Sequence, residues 1–351
     1  MKIAILCDTH FGVRNDGQVF LDYHFKFFDE IFFPACKERN IDTVLHLGDL
    51  MDRRKYVNFN TLAQVRERFM DRLQSENMTV HCIVGNHDTY FKNTNNVNSP
   101  KELFGSGYPN FNIYDSPVEL TFDNTKIAMI PWINKSNEHE SMEFINQTDA
   151  TILAGHFELE GYQVMRGVKH TDGMKPDLLQ KFDRVWSGHF HQKHEENNIC
   201  YFGTAYQMTF SDLFEKKGFH IYDTETDEVE FIHNPDNLFH SVVYKDDVDL
   251  ALIDFRKYTG RYVKVFVHEK KNAKKFDRLI ERLYENNVES VTILENETPT
   301  SENVEVDKDV LATDTMTIIS SYVDDAFSED PEECKRLKEV FKELFLESFD
   351  E

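Results

Sequence analysis

The 351-residue sequence is short of several features, and each shortage excludes a class of protein. Its five cysteines are scattered and form no Cys-x-x-Cys pair, which argues against a disulfide framework and a thiolate zinc site. No apolar run approaches the ~20 residues of a membrane span, and Lys2 leads directly into a strand pattern rather than a signal sequence. We therefore expect a protein of the reducing cytoplasm without membrane contact.

Basic residues are also scarce, with 39 Lys and Arg against 63 Asp and Glu and a net charge of −24. This balance disfavours a nucleic-acid partner, because phosphate backbones repel carboxylates. However, residues 295–351 hold 18 acidic against 5 basic residues, which leaves −11 for the first 294. Arg53, Arg54 and Lys55 form a short basic segment, which is either a local basic rim or ordinary solvated surface charge.

The most informative stretch is VLHLGDLMD at residues 44–52. An apolar run ends there at Gly48 and Asp49, as a buried strand does when it reaches a tight turn and presents a carboxylate. Four other clusters of metal-ligand residues also follow apolar runs: Asp8-Thr9-His10, Gly85-Asn86-His87-Asp88, Gly155-His156 and Gly188-His189-Phe190-His191. Taken singly these clusters are weak signals, but five of them at strand ends predict one metal site.

Strand patterns at 2–7, 43–47 and 79–84 alternate with helix patterns at 20–38 and roughly 61–74, which predicts a parallel α/β sheet. The first helix carries more aromatic residues than one core face needs. It is either buried on two sides or forms a subunit interface. Residues 92–100, KNTNNVNSP, are expected to be a flexible polar loop near the site.

A change of character near Asn234-Pro235 predicts a domain boundary. Strand patterns at 239–244, 262–267 and 290–294, with a helix pattern at 276–284, predict a small α+β unit. Residues 296–303 have the composition of a disordered linker, and helix patterns follow near 316–327 and 331–345. The second begins with Asp330 and Pro331, a strong helix start. Its apolar stripe would pack on its own domain or, as we prefer, in a partner's groove.

The chemistry of the clusters predicts two divalent ions. Ions about 3.5 to 4 Å apart, bridged by a carboxylate, clamp the attacking and leaving oxygens of a phosphoryl transfer, and we assign Asp49 as the bridge. The other expected ligands are Asp8, His10 and His191 on one ion and Asn86, His156 and His189 on the other. Mixed imidazole and oxygen donors suit manganese or iron better than magnesium.

Three residues of the clusters are left for other roles. His87, next to Asn86, is expected to be catalytic, as a protonated imidazole that donates to the leaving oxygen or stabilises the transferring phosphoryl group. Asp52 and Asp88 are expected to orient the metal-ligand side chains without binding the ions themselves. The histidines outside the clusters have no such setting and are expected to be structural or surface residues.

The five clusters resemble the motifs of the calcineurin-like metallophosphoesterases over roughly residues 1–230. The small unit, acidic linker and last helix resemble those of SbcD-type repair nucleases, the meiotic-recombination-eleven family. The length and aromatic helix resemble its branch in T-even-type bacteriophages. The implied α/β fold is a two-sheet sandwich flanked by helices, with a small α+β capping domain and a C-terminal helical tail.

The resemblance also implies an activity and partners. It implies a two-manganese exonuclease and endonuclease, with magnesium as an alternative, acting on double-stranded DNA ends in replication, recombination and repair. Residues 1–234 would be the nuclease domain, 235–295 the DNA-contacting cap and 296–351 the tail that binds an SMC-like, SbcC-type ATPase. A homodimer through helices of the first domain and, for a phage protein, the bacterial host cytoplasm are also implied.

Carried over by motif, the metal ligands are Asp8, His10, Asp49, Asn86, His156, His189 and His191, and His87 is catalytic. Cellular relatives often carry histidine where this chain has Asp52, so the role of Asp52 is open.

Two alternatives stand beside the nuclease. The second and third clusters also resemble those of phosphomonoesterases and protein phosphatases, and a non-catalytic scaffold is the other alternative, against which the complete ligand set argues.

Overall fold

The computed structural model describes residues 1–165 and 168–295, together with Val323 and residues 335–338, 340 and 341. Two compact units are present: unit 1, Met1–Met208 with Glu215–Asp236, and unit 2, Thr209–Phe214 with Asn237–Glu351. The predicted linker at 296–303 lies outside the described residues. Of the two tail-helix patterns, only the few described positions are seen, and they are helical. None of the helices in the described part is long and apolar enough to cross a bilayer.

The described residues of unit 1 form sixteen strands and four longer helices, besides a short helical turn at Val13–Asp16 and a 3₁₀ helix at Pro176–Leu179. The strands are β1 (Lys2–Leu6), β2 (Thr43–His46), β3 (Thr79–Ile83), β4 (Thr89–Phe91), β5 (Thr94–Asn98), β6 (Phe111–Tyr114), β7 (Val118–Phe122), β8 (Thr125–Ile130), β9 (Ile152–Gly155), β10 (Gln163–Met165), β11 (Val168–Lys169), β12 (Arg184–Ser187), β13 (His194–Glu196), β14 (Ile199–Tyr201), β15 (Gly218–Asp223) and β16 (Glu228–His233). The helices are α1 (Gln18–Phe27, Phe28–Phe32 and Phe33–Glu38 in continuation), α2 (Phe59–Val65, Arg66–Met70 and Asp71–Ser75), α3 (Ser99–Phe104) and α4 (Glu138–Gln147).

Two six-stranded sheets form unit 1, in the orders β16-β15-β1-β2-β3-β6 and β13-β14-β12-β9-β8-β7. Strands β1, β2, β3 and β6 are parallel, which confirms the alternation read from the sequence. Their register pairs Leu6 with His46 and His46 with Cys82. Three strands of the first sheet therefore end level with one another, and the loops that follow them start from the same edge.

The two sheets pack face to face. Alternate residues of β1, such as Ile3 and Ile5, share a buried cluster with Ile127, Met129 and Trp186 of the second sheet. Side chains of a strand point alternately to its two faces. The β1 residues that alternate with Ile3 and Ile5 therefore face the helices on the other side of the first sheet. The outer face of the second sheet has its own core, to which α4 contributes Ile145.

Helix α1 covers the other face of the first sheet with aromatic rings. Phe28 is fully buried, with its ring centroid 4.8 Å from that of Phe69 and 5.8 Å from that of Phe11. Phe32 packs against Phe219 of β15 at 5.0 Å. Every aromatic residue of α1 is buried within the chain: Phe20, Tyr23, Phe25, Phe27, Phe28, Phe32 and Phe33. Burial in the chain's own core therefore accounts for the aromatic excess, as in the first of the two alternatives.

The segment expected to be a flexible loop at 92–100 is ordered structure, so that prediction was wrong. Strands β4 and β5 form a hairpin, and the Asn98 side chain accepts a bond from Lys101 N–H at the start of α3. Asn95 donates to the carbonyl of Trp132 at 2.9 Å. Asparagines that favour loops also form such caps and bridges, and composition does not separate the two uses.

Unit 2 contains three parallel strands, β17 (Phe239–Tyr244), β18 (Tyr262–Val267) and β19 (Ser290–Glu295), in this spatial order. Helix α5 (Ala273–Glu285) connects the last two and buries Phe276, Leu279 and Leu283 against them. A short 3₁₀ helix, Phe255–Tyr258, connects the first two. This unit therefore has a hydrophobic core of its own.

Replacing Phe28 with alanine tests the aromatic core of unit 1. We expect Phe28→Ala to lower the free energy of unfolding by about 3–5 kcal/mol, because a fully buried ring leaves a cavity. Phe59→Ala, which removes a ring that is 84% exposed, should change it by less than ~0.5 kcal/mol. Urea unfolding followed by tryptophan fluorescence measures both, since Trp132 and Trp186 lie in unit 1. Equal losses would show that Phe28 is not a core residue.

Candidate metal centre

All five sequence clusters meet at the carboxyl edges of the two sheets. Asp8 follows β1, Asp49 follows β2 and Asn86 follows β3, whereas His156 follows β9 and His189 follows β12. The backbone continues to pair beyond the strands, because His10 N–H donates to Asp49 O at 3.0 Å. The structure thus brings together every residue that the sequence analysis assigned to the site.

The backbone of the site is strained. Asp8, His10, Asp49 and His189 have φ angles of 53°, 41°, 54° and 83°. Non-glycine residues rarely adopt positive φ, and they keep it only where the surroundings enforce it. This strain directs consecutive polar side chains into one space, as a metal centre requires.

Asp49 lies at the centre of this space and is buried. Its Oδ1 accepts the backbone N–H of His87 at 2.8 Å. Its Oδ2 lies 3.2 Å from His156 Nε2 and 3.5 Å from His10 Nε2. One carboxylate oxygen therefore faces one imidazole from each of the two expected ligand groups, which is the geometry of a bridging ligand.

Two glycines make room for Asp49. A Cβ at Gly85 would lie 2.2 Å from Asp49 Oδ1, and a Cβ at Gly48 would lie 2.6 Å from His156 Nδ1. Gly48 also has a φ of 91°. The glycines of these clusters are thus required by close approach as well as by turn geometry.

The first ligand group consists of Asp8, His10 and His191. The Nε2 atoms of His10 and His191 are 3.1 Å apart, and Asp8 Oδ1 accepts the His189 N–H at 2.9 Å. Asp8 Oδ2 is buried and has no hydrogen-bond partner within the described chain. A buried carboxylate oxygen without a donor is costly unless a cation balances it. These atoms therefore fit a divalent ion.

The second group surrounds the side-chain oxygen of Asn86. His156 Nε2 lies 2.8 Å from Asn86 Oδ1, and His189 Nδ1 lies 3.0 Å from it. His156 Nδ1 donates to the carbonyl of Leu47 at 2.7 Å, which leaves Nε2 as its electron-pair donor. The sets Asp8–His10–His191 and Asp49–His156–His189 each have ligand atoms within 4.8 Å of one another. Two cations therefore suit the donors present.

The carboxylates of Asp52 and Asp88 support the ligand residues from outside the proposed metal site. Asp52 Oδ1 is 3.2 Å from His10 Nδ1, on the side of the ring away from His191. Such a carboxylate fixes the ring's orientation and strengthens it as a ligand. Asp88 acts on backbone instead, accepting N–H bonds from Gly85 and Met51. It holds the second and third clusters together.

Sequence reasoning missed Glu158, whose Oε1 lies 4.0 Å from His189 Nε2 and 3.1 Å from His170 Nε2. The Glu158 carboxylate lies on the Nε2 side of His189, whereas Nδ1 of His189 faces Asn86. The signal was a glutamate two residues after His156. Trp132 was also missed, although its ring centroid lies 5.2 Å from that of His189.

The carboxylates strongly affect the ligand histidines. Burial lowers the pKa of His10, but Asp52, Asp49 and Asp8 outweigh it and raise this pKa to about 9. Burial likewise opposes Asp49 at His156, whose pKa also rises to about 9. Burial and the neighbouring His156 lower the pKa of His189 to about 3. Burial raises the pKa of Asp8 to about 6.

His87 stands at the edge of the centre, with its ring centroid 4.7 Å from that of His10. Its Nδ1 donates to the backbone carbonyl of Asp52 at 2.7 Å, so Nε2 is the atom free to act. Burial lowers the pKa of His87, despite the opposing effect of Asp49. The free protein therefore favours the neutral ring rather than the protonated ring expected from the sequence.

This centre, formed where two facing sheets end, has the donor groups of a metal-dependent phosphoesterase. The calcineurin-like phosphoesterase family model matches residues 1–193, and the chain belongs to that family. This confirms the predicted fold class. The chain is 35% identical to exonuclease subunit 1 of Enterobacteria phage T4, with 87% of this chain and 89% of that protein covered.

Two further proteins are similar to this chain. The SbcD component of the SbcCD nuclease of Staphylococcus saprophyticus is 26% identical, over 65% of this chain and 67% of its own. The solved structure of an archaeal phosphodiesterase is 16% identical, with a TM-score of 0.31, and covers 67% of this chain and 100% of its own. The family match and the two nuclease relatives confirm the resemblance stated from the motifs.

Metal binding should release protons. At pH 7 the metal-free protein holds protons on His10 and His156, because both pKa values are raised to about 9, and a ligating imidazole must be neutral. We expect Mn²⁺ binding at pH 7 to release about two protons and its apparent affinity to rise with pH until about pH 9. Calorimetry in two buffers of different ionisation enthalpy measures the release. A heat that is the same in both buffers would contradict the ligand assignment.

Glu158→Gln tests the residue behind His189. Removing its charge at nearly constant volume should lower Mn²⁺ affinity by about 10-fold, as loss of such supporting groups does. Glu160→Gln, two residues further on and exposed, is the matched control and should leave affinity unchanged. Equal affinities in both variants would show that Glu158 does not support His189.

Proposed function

We propose that this protein is a two-metal DNA nuclease that hydrolyses phosphodiester bonds at DNA ends by both exonuclease and endonuclease cleavage. The observation that carries the proposal is the position of Asp49 Oδ2 between His10 and His156, which suits a bridge between two ions. The 35% identity to a protein named as an exonuclease subunit supports DNA as the substrate.

When bound, the two ions would activate a water and neutralise the charge that develops on the phosphate. Other residues of the chain hold the ligand side chains in position. Leu47 O and Asp52 hold the rings of His156 and His10 so that their Nε2 atoms face Asp49. Asp52 O accepts the Nδ1–H of His87, so Nε2, which carries no proton in the neutral ring, is the atom that can take up a proton at the substrate's oxygen atoms.

Manganese is the proposed metal, with magnesium as the alternative. The donors include four histidines and one asparagine oxygen beside two carboxylates, and magnesium prefers oxygen ligands in a tight octahedron. Imidazole-rich sites suit metals further along the first transition series. The donor set therefore supports a transition metal, manganese or iron, over magnesium.

We further propose that the protein is the nuclease subunit of a complex with an SMC-like, SbcC-type ATPase that acts in replication, recombination and double-strand-break repair. The similarity to the SbcD component of the SbcCD nuclease supports this partner. In this proposal the C-terminal helices bind the ATPase, residues 235–295 contact DNA, and helices of unit 1 form a homodimer. A bacterial host cytoplasm is the proposed location, because the substrate is there.

Release of nucleotides from end-labelled duplex DNA tests the proposal. We expect the purified chain to degrade DNA with Mn²⁺ and not with chelator. His87→Ala should reduce turnover by about 10²-fold or more, because general acid–base groups contribute this much, while both metals stay bound. His139→Ala, whose side chain is 95% exposed, is the matched control and should retain full activity.

Other outcomes are equally informative. Turnover of nitrophenyl phosphate without DNA cleavage would favour the phosphomonoesterase or protein phosphatase alternative. Loss of bound metal in His87→Ala would identify His87 as a ligand instead of a catalytic residue. Two bound metals with no activity on either substrate would contradict the proposal for the isolated chain.

A further inference from the structure

The segments that follow the second and third clusters are basic, whereas the chain as a whole is acidic. Residues 53–60, RRKYVNFN, and residues 89–98, TYFKNTNNVN, contain four basic residues and no acidic one, in a chain whose net charge is −24. The first loop follows Asp52, which contacts His10, and the second follows Asp88. Both basic segments therefore adjoin the metal centre.

These loops also carry the exposed aromatic residues of unit 1. Among the described residues of that unit, only Tyr56, Phe59, Tyr90 and Phe91 are exposed aromatics, with 76%, 84%, 40% and 49% of their surface accessible. The other Phe, Tyr and Trp rings in the described part of unit 1 are buried or partly buried. Large exposed rings next to a catalytic centre indicate a binding surface.

Arg53 and Arg54 are neighbours with opposite environments. Arg53 is anchored, because its Nη2 donates to Asn15 Oδ1 at 2.7 Å and its Nη1 lies 3.3 Å from Asp16 Oδ2. In contrast, Arg54 Nε and Nη1 are buried and have no hydrogen-bond partner among the described residues. Buried donors without acceptors are costly, and they leave the charge of Arg54 unpaired. Its third nitrogen, Nη2, is not among these buried atoms and is the one suited to a phosphate oxygen.

We propose that residues 53–59 and 89–92 form a strand-binding surface for an unpaired DNA strand, with Arg54 as its phosphodiester contact and Tyr56 as a base-stacking platform. This proposal rests on the proposed function and names the form of its substrate. Alternating cations and exposed rings bind single strands, because cations follow the backbone and rings stack on bases that pairing would hide. A duplex end would thus be held by one separated strand beside the metal centre.

The first test measures binding rather than cleavage. A phosphorothioate-linked oligothymidylate resists hydrolysis and keeps one charge per linkage, so its affinity for the Mn²⁺-loaded protein is measured by fluorescence anisotropy at several salt concentrations. We expect Arg54→Ala to reduce the slope of log affinity against log salt by about 0.7, the value for one single-strand phosphate contact. Arg54→Lys should restore most of the slope.

Matched variants separate this role from a structural one. Arg39 lies just before the amino end of β2, at the opposite edge of the sheet, and pairs with exposed Glu230. Arg39→Ala should therefore leave the slope unchanged. Arg54→Ala should leave or raise the melting temperature, since it removes unpaired buried donors, whereas Arg53→Ala should lower it by about 1–2 °C, because it removes a partly exposed ion pair and hydrogen bond. A lower melting temperature in Arg54→Ala with an unchanged slope would overturn the proposal.

Base stacking is tested with Tyr56→Leu and Tyr56→Phe. We expect Tyr56→Leu to weaken binding of the oligothymidylate by about 10-fold, within the range of one stacked base, and Tyr56→Phe to bind as the wild type does. An abasic oligomer with the same linkages should not distinguish the variants. Equal losses on both oligomers would overturn the stacking role and leave charge attraction alone.

These experiments distinguish failure of the strand-binding surface from failure of the nuclease proposal. Cleavage of duplex DNA by the wild type, with Arg54→Ala and Tyr56→Leu binding normally, would contradict this surface but not the nuclease. Impaired binding in both variants, with no cleavage by the wild type, would support the surface and contradict the nuclease.

Discussion

The carboxylate of Asp49 is the group on which the rest of the site depends. Its Oδ1 is held by the His87 N–H, and its Oδ2 faces His10 and His156. Oδ1 therefore positions the carboxylate, and Oδ2 is left facing the two imidazoles. Because Asp49 is buried, its charge is strong in this low-dielectric setting and raises the pKa of both imidazoles. The centre is electrostatically prepared for two divalent ions.

Holding Asp49 in this position imposes constraints on the surrounding loops. Gly85 is needed because a Cβ there would collide with Asp49 Oδ1, and the positive φ of Asp49 itself must be enforced by its neighbours. Asp88 accepts N–H bonds from Gly85 and Met51, which joins the two loops. The level ends of β1, β2 and β3 set the starting points of these loops. Sheet register, close packing and backbone strain together determine the site.

Charge is distributed in a way that suits a nuclease with an acidic chain. The site has several carboxylates, which alone would repel a phosphodiester, and the tail adds a large acidic excess. The two cations proposed here would offset the first, and the basic loops around residues 53–55 and 92 supply attraction beside the centre. The aromatic residues of α1 are all buried, and in the described part of unit 1 the exposed rings lie in those segments. These segments differ from α1 in the solvent exposure of their aromatic rings, not in the number of rings they contain.

The sequence by itself determined the parallel strand–helix alternation at the start of the first sheet and the identity of the cluster residues, because apolar runs and the glycines that end them are local signals. Local patterns could not show that residues 92–100 form a hairpin and cap, since asparagine serves both loops and caps. Nor could they reveal Glu158 behind His189, or distinguish anchored Arg53 from unpartnered Arg54. Those facts depend on contacts between distant segments. Only the tertiary structure, which brings five strand ends to one edge, decided them.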